Sequence, residues 1–507
     1  MSIATENVAT IAIVMLAIGI LAWGYNRAKP FGKLGLLAWL QSVVLMAPWL
    51  LFFGLFAAGI YLNLAGILFL IVASAGLYIY LGKQLRAAGQ DEILQQRAAK
   101  LIEENQQKQE NVAEEKAGEE SSSSASSASD SDRTPEMMRI PVEDLTQIQG
   151  IFGIDTFFAT ETIPYQEGVI FNGNLRGEVE ASHQKLSASL QERMGDRYRL
   201  FFVANPEEKP VVIVLPSSSE PASANTGQKA LAVVLFLATI ATTLETGSLF
   251  LGFDFLNNTS RFSEVLPITL GIWVILLAHE LAHQIVAKRN NVRLSWPFFI
   301  PTWQIGCFGS FNRFESLLPN RQVLFDVAFA GPAASGLVSL FMLLAGLLLS
   351  HQGSLFEIPS EFFQGSILVG TLSKVVLGSA LQQPLVDVHP LTILGWLGLV
   401  INAINLMPAG QLDGGRIMQA IYGRKIAGRA TLATIVVLGI ASFVNPLALY
   451  WAVVILILQR NLERPCLNDL IETDDARAAL GLLVLFLMLA TLLPLSPSLA
   501  GRLGIGA

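Results

Sequence analysis

The chain has 507 residues, of which 52% are hydrophobic and only 14% charged, with a mean hydropathy of +0.52. Soluble domains carry about 25% charged residues, so a single soluble globule is excluded. The formal net charge of −7 gives no support for nucleic-acid binding, and none is expected.

Apolar runs at residues 8–23, 34–60 and 62–81 predict a group of N-terminal membrane segments over residues 1–82. About 20 apolar residues are needed to cross a bilayer core, so shorter runs are expected to be tilted, broken or re-entrant. The first run lacks a basic start and a small-residue cleavage site, which predicts a retained anchor. Residues 83–134 are polar: 84–117 reads as a polar helix, and the Ser-rich acidic stretch 119–132 as a flexible linker with too little apolar surface to offset ordering.

Residues 135–218 predict a small cytoplasmic α/β module, with strands near 168–171, 198–203 and 211–215 and a helix over 179–193. Within it, Gly173 to Gly177 reads as a structural turn anchored by Arg176, and His183 as an exposed helix residue. A membrane core is expected over 228–460, from apolar runs at 230–251, 265–286, 323–349, 391–405, 430–443 and 447–458. The remaining piece, 461–507, adds a run at 479–493. The fold class expected is an α-helical polytopic membrane protein of about eight to ten membrane segments, with a re-entrant hairpin and a small soluble α/β insert.

The second run of the core contains His279-Glu280-Leu281-Ala282-His283. On a helix, positions i and i+4 share a face, so both imidazoles can reach one Zn²⁺, while Glu280 is left to act as general base on a water. Ionisable groups at membrane depth are costly unless they pair, bind an ion or line a wet cavity, and a metal satisfies all of them together. After this helix, residues 295–314 are apolar but interrupted by prolines, which argues against a helical crossing. A hairpin beside the site is expected there, and an edge carrying Gly306 and Phe308 is suited to adding an unwound substrate as an extra strand. An interfacial aromatic belt at Trp296 and Trp303 is the alternative.

A catalytic zinc needs a third protein ligand, and Asp413 is the candidate. It lies in Asn405-Leu406-Met407-Pro408-Ala409-Gly410-Gln411-Leu412-Asp413-Gly414-Gly415, where Pro408 and the glycines break the preceding helix. Read alone, the same stretch is also compatible with a helix cap and a solvated Asp413. Basic residues after the first, third and zinc-motif runs and after Asp413 fall on one side if the N-terminus is outside, which brings both motifs towards the cytoplasmic face. His351, Asp387 and His389 then lie at the opposite side. Cys307 and Cys466 form no disulfide framework, and Cys307 reads as a small buried residue.

Together, His279-Glu280-x-x-His283 and Asn405-x-x-Pro408-x-x-x-Leu412-Asp413-Gly414 resemble the site-2 protease family of intramembrane zinc metalloproteases. Phe329 to Gly336 is similar to that family's Gly-Pro signature on the helix between them; its close helix approach is read mainly as packing. Gly173 to Gly177 and Pro301 to Gly306 resemble its EGY branch of cyanobacteria and plant chloroplasts. The resemblance implies one Zn²⁺ on His279, His283 and Asp413, Glu280 activating water, and a scissile bond in the transmembrane segment of a single-pass or other membrane protein. It further implies a polar contact to substrate or transition state at Ser335, where some members carry Asn, an Asn405 that orients substrate backbone or the zinc-ligand loop, and a plasma or thylakoid membrane of cyanobacterial type. A metal transporter would instead show ligands along a path through both leaflets, and a silent chaperone or scaffold would not need Glu280. Oligomeric state is not legible.

Overall fold

The computed structural model describes residues 32–57 and 140–506, apart from 166, 206 and 460, with scattered positions between 24 and 85. The expected crossing at 8–23, most of the run 62–81, the polar helix beyond residue 85 and the Ser-rich linker lie outside the described residues. The chain divides into two units, Met1–Thr134 with Ile435–Leu458, and Pro135–Thr434 with Gln459–Ala507. In the first unit the main described element is α1 (Gly32–Ala57), with Pro48 inside it.

The second unit opens with the insert: α2 (Val142–Gln149), β1 (Phe157–Tyr165), β2 (Gly168–Leu175), α3 (Val179–Met194), β3 (Tyr198–Ala204) and β4 (Pro210–Pro216). The four strands pair antiparallel in the order β1-β2-β4-β3. Phe171, Phe202, Val212 and Val214 meet Ile148, Leu186 and Leu190 of the two helices in one apolar core. Asp144 in the first turn of α2 accepts from Arg197 Nη1 at 2.9 Å and from Tyr198 Oη at 2.7 Å. That burial and the Asp144 carboxylate push the Tyr198 phenol up to about 12.

Two expectations about this module are corrected. Gly173 to Leu175 is strand, not turn: β2 runs through it, and Gly173 faces Ala159 beside a register shift in β1. A Cβ at Gly173 would lie 2.2 Å from Phe158 O, so the glycine serves close strand approach. His183 is half-buried rather than exposed, because its ring packs edge-on against Phe202 with centroids 5.3 Å apart. Burial holds its pKa below the ordinary 6.5, so between those values the unfolded chain takes up a proton that the native module refuses. The module's stability is therefore full above about pH 6.5 and falls as pH drops towards the native pKa. Amide-exchange protection of β3 is expected to weaken between about pH 7.5 and about pH 5.5, and His183→Phe to flatten that slope. Equal protection at both pH values in the unsubstituted chain would contradict this.

The free edge of β3 is covered from a distance in sequence. Phe202 N donates to Leu467 O and Asp469 N to Phe202 O, while Leu467 N and Asn468 N donate to Leu318 O and Pro319 O. Residues 467–469 thus form a strap joining the insert to the loop before a membrane helix.

The remaining elements of this unit build a helical layer. They begin with α4 (Thr226–Phe250), opened by an Asn225/Gln228 capping box, and α5 (Phe262–Arg289). A hairpin of β5 (Phe298–Thr302) and β6 (Gly306–Phe311) follows, then α6 (Arg321–Leu349). A second hairpin, β7 (Phe356–Pro359) and β8 (Leu385–Val388), encloses the short helix α7 (Ile367–Leu377), and α8 (Pro390–Asn405) packs against α6. Next come α9 (Asp413–Ala441), which breaks helical geometry at Gly423 and passes into the first unit at Ile435, and, back in the second unit, α11 (Asp475–Leu492) and α12 (Pro497–Leu503); α10 (Pro446–Val454) lies in the first unit.

Among the described residues, α4, α5, α6 and α11 are long and apolar enough to cross a membrane; α8 is shorter. Leu337 and Phe341 on α6 are 69% and 72% exposed, an outward apolar face that suits lipid. Inward, Ile272, Leu343 and Leu394 join α5, α6 and α8, and Ala328, Ala403 and Ile417 join α6, α8 and the first turns of α9. The site lies at this second junction.

Candidate metal centre

Helix α5 turns Leu270, Val274, Leu277 and Leu281 outward, buries His279, Glu280 and His283 with Ile272, Ile275 and Leu276, and ends where Asn291 takes φ 55 and Val292 N returns to Ala287 O at 2.9 Å. Left-handed backbone of this kind is tolerated by asparagine and stops a helix. Two turns earlier, His279 and His283 project on one side as their spacing requires. On the facing chain α8 ends at Asn405, Pro408 cannot extend it, and Gly410 turns with φ 49 while its N–H is taken by Thr431 Oγ1 at 2.9 Å. Asp413 then stands in the first turn of α9, where a helix N-terminus favours a carboxylate.

The three side chains converge. His279 Nε2 lies 3.2 Å and His283 Nε2 3.5 Å from the Asp413 oxygens, and the two ring nitrogens are 3.0 Å apart. One ligand atom from each residue falls within 4.8 Å of the others, and all three residues are buried.

The hydrogen bonds behind the rings test whether a cation fits. His283 Nδ1 is 2.7 Å from Val327 O, which can only accept, so Nδ1 carries the ring proton and Nε2 presents its lone pair. His279 Nδ1 is 3.1 Å from Ser335 Oγ, whose own hydroxyl is directed to Gly331 O or Asn402 Oδ1, each at 3.0 Å. The same tautomer follows for His279. Two imidazole lone pairs and a carboxylate facing one another have no donor between them, and a divalent cation satisfies the set with nitrogen and oxygen ligands of the kind zinc takes.

Glu280 is also buried and lies beside the cluster rather than in it. Its Oε1 accepts from Ser310 Oγ and its Oε2 from Asn312 Nδ2 at 2.9 Å. Ser335 sits behind His279 as just described. Asn405 Nδ2 donates to Phe308 O at 2.9 Å and to Ile401 O at 2.8 Å, tying β6 to α8. Gly306 at the start of β6 gives its carbonyl to Thr242 Oγ1 at 2.6 Å, which fixes the hairpin on α4. A narrow cavity beside His279 is lined by Ile275, Leu276, Ser310, Ile401, Asn402 and Asn405. Cys307 is buried and its Sγ engages Gly309, away from the cluster. His389 caps the opposite end of the 16-residue α8, which separates it from the site.

Sequence reasoning did not find Ser310, Asn312, Asn402 or the Val327 carbonyl. The sequence signal for the first two is slight: polar residues at 310 and 312, at the end of a largely apolar strand.

Residues 267–445 match Peptidase family M50, and residues 146–221 match the EGY3 middle domain. The chain is 39% identical over 373 residues to the probable zinc metalloprotease EGY2, chloroplastic, of Arabidopsis thaliana, covering 71% of this chain and 66% of that protein. It is 36% identical over 399 residues to the probable zinc metalloprotease EGY1 of the same plant, covering 70% and 72%. With the probable zinc metallopeptidase EGY3 it shares 33% over 377 residues, covering 69% and 65%. The chain thus spans about two thirds of the length of these relatives. No solved structure gives a significant match. Since the peptidase match runs across the segment that holds His279, His283 and Asp413, and the insert matches as well, this chain belongs to peptidase family M50 and, within it, to the EGY metalloproteases.

Proposed function

We propose that this chain is an intramembrane zinc metalloprotease that hydrolyses a peptide bond within or near the transmembrane segment of a membrane-protein substrate. One observation carries the reading: the ligand atoms of His279, His283 and Asp413 meet within 4.8 Å among apolar helices. In this reading those three residues hold one zinc ion. Zinc, when bound, supplies Lewis acidity that polarises a scissile carbonyl and eases the deprotonation of a water. Glu280 takes the proton of the attacking water on a carboxylate oxygen and later delivers it to the leaving nitrogen.

A peptide bond inside a helix has its carbonyl and amide already engaged, so the substrate must unwind before attack. The β5–β6 hairpin, read as re-entrant, offers the means. Asn405 Nδ2 donates to Phe308 O and ties β6 to α8 beside the site, and we read a substrate strand as lying along this edge of the hairpin. Gly306 and Phe308 set the floor of that edge, Asn405 orients the substrate, and Ser335 acts on it through His279.

The wider architecture is part of the same proposal. About eight to ten segments cross the bilayer, the insert at 135–218 lies in the cytoplasm, and the site opens towards that side of a bacterial plasma or thylakoid membrane of cyanobacterial type. Support comes from the basic residues Lys288, Arg289 and Arg293 just beyond the zinc-motif helix.

Purified full-length protein in lipid vesicles is expected to contain one zinc per chain and to cleave a single-span membrane reporter protein. His283→Ala and Asp413→Ala should both lose the metal, read by plasma mass spectrometry, and the cleavage with it. Undiminished zinc in these variants, or cleavage that survives chelation, would refute the assignment.

A further inference from the structure

Glu280 has both carboxylate oxygens held by residues of the hairpin strand β6 and the segment that leaves it, Ser310 and Asn312. Asn312 is 6% exposed, and its Oδ1 has no partner among the described residues, so the bond to Glu280 is the one polar contact its side chain makes there. Its backbone is gripped from the other side. Arg416 Nη2 donates to Asn312 O at 2.5 Å, and Nε and Nη2 of the same guanidinium reach Glu463 Oε2 at 3.2 and 3.0 Å. The guanidinium carbon also lies 4.7 Å over the ring of Phe314.

Arg416 and Glu463 are 3% and 7% exposed. Apolar side chains of similar volume are often as stabilising as a buried ion pair, so stability alone does not account for this one. A glutamate side chain bound at one oxygen still swings about its last torsion, whereas two donors fix the plane of the carboxylate.

We infer that Asn312 is a positioning residue for Glu280, with the buried Arg416–Glu463 pair clamping Asn312 from behind. The inference rests on the general-base reading above. Its chemistry is that of an amide N–H holding one oxygen of a base while Ser310 holds the other. Loss of such outer-shell support costs about 10-fold to 100-fold in activity.

The test uses full-length, zinc-loaded protein in lipid vesicles and the single-span reporter. Isotope-edited infrared spectra, with Glu280→Gln as the blank, isolate the Glu280 carboxylate stretch. In Asn312→Ala that band is expected to shift, and kcat to fall about 10-fold to 100-fold with KM and zinc content unchanged. Placed in the Glu280→Gln background, Asn312→Ala should bring no further loss. Arg416→Lys, which keeps the charge but not the fork, should move band and kcat in the same direction by less. Asn312→Leu keeps the volume without the donor and serves if the alanine variant does not fold. A Glu280 band unmoved by both Asn312 variants overturns the inference, as does a kcat that stays level or rises. Should the unsubstituted protein fail to cleave the reporter, the protease reading is what fails, and the infrared band alone then decides on Asn312.

Discussion

Glu280→Gln is expected to lower cleavage by about 100-fold to 10,000-fold, the range that general acid–base catalysis commands, while zinc content stays at the level of the unsubstituted protein. The amide has the shape of the acid but cannot take up a proton from water. It also fits the surroundings: its carbonyl can accept from Asn312 Nδ2, and its NH₂ can donate to Ser310 Oγ, because a hydroxyl can accept as well as donate. The candidate metal site of His279, His283 and Asp413 does not include Glu280, so zinc content is expected to be unchanged. Turnover of the reporter and metal content, measured on one preparation, separate the two effects. Retained turnover with retained zinc would remove Glu280 from the chemistry.

The second large effect is expected at a residue that bears no functional group. A Cβ at Gly331 would stand 2.2 Å from His283 Nε2 and 2.5 Å from Cδ2 of the same ring. The ring cannot turn aside, because Nδ1 is bound to Val327 O and the residue is buried. Gly331→Ala must therefore push α6 away from α5 or drive His283 out of its place. Zinc affinity is expected to fall by about 10-fold to 100-fold, and overpacking to cost about 1 to 3 kcal/mol. Gly428→Ala in α9 is the matched control, since a Cβ there meets only Leu462 Cδ1, at 3.8 Å. Competition with a chromophoric zinc chelator measures the first effect; equal affinity in the two variants would show that Gly331 merely packs.

The same glycine shows which parts of the site can be read from sequence. His279 and His283 follow from a four-residue spacing, and Asp413 from the need for a further ligand on a broken helix. Their convergence depends on local patterns that each segment carries by itself. Gly331 belongs to a small-residue stretch that signals close helix approach, but which side chain it approaches is a matter of helix rotation and depth. Asn312, Arg416 and Glu463 were illegible for a related reason: the Arg416–Glu463 contact spans 47 residues and the Arg416–Asn312 contact 104. No periodicity links them. Ser335 is a similar case, since in sequence a polar group on the inward face of α6 reads the same whether it faces substrate or, as in the fold, the His279 ring. In the insert, the buried β-rich runs at 198–203 and 211–215 announced β3 and β4, whereas β1, with threonines, a glutamate and a proline in its sequence, carried too weak an alternation to be seen. The half-burial of His183 was likewise set by Phe202 on a later strand.

The strap of residues 467–469 means that the insert is finished only when the C-terminal part of the chain has been made. Until Leu467 and Asp469 arrive, the amide and carbonyl of Phe202 stand bare along the outer margin of the sheet, an open invitation to a neighbouring strand. A fragment cut after β4 would thus tend to stick to its own kind, where the full-length chain supplies its own closing seam.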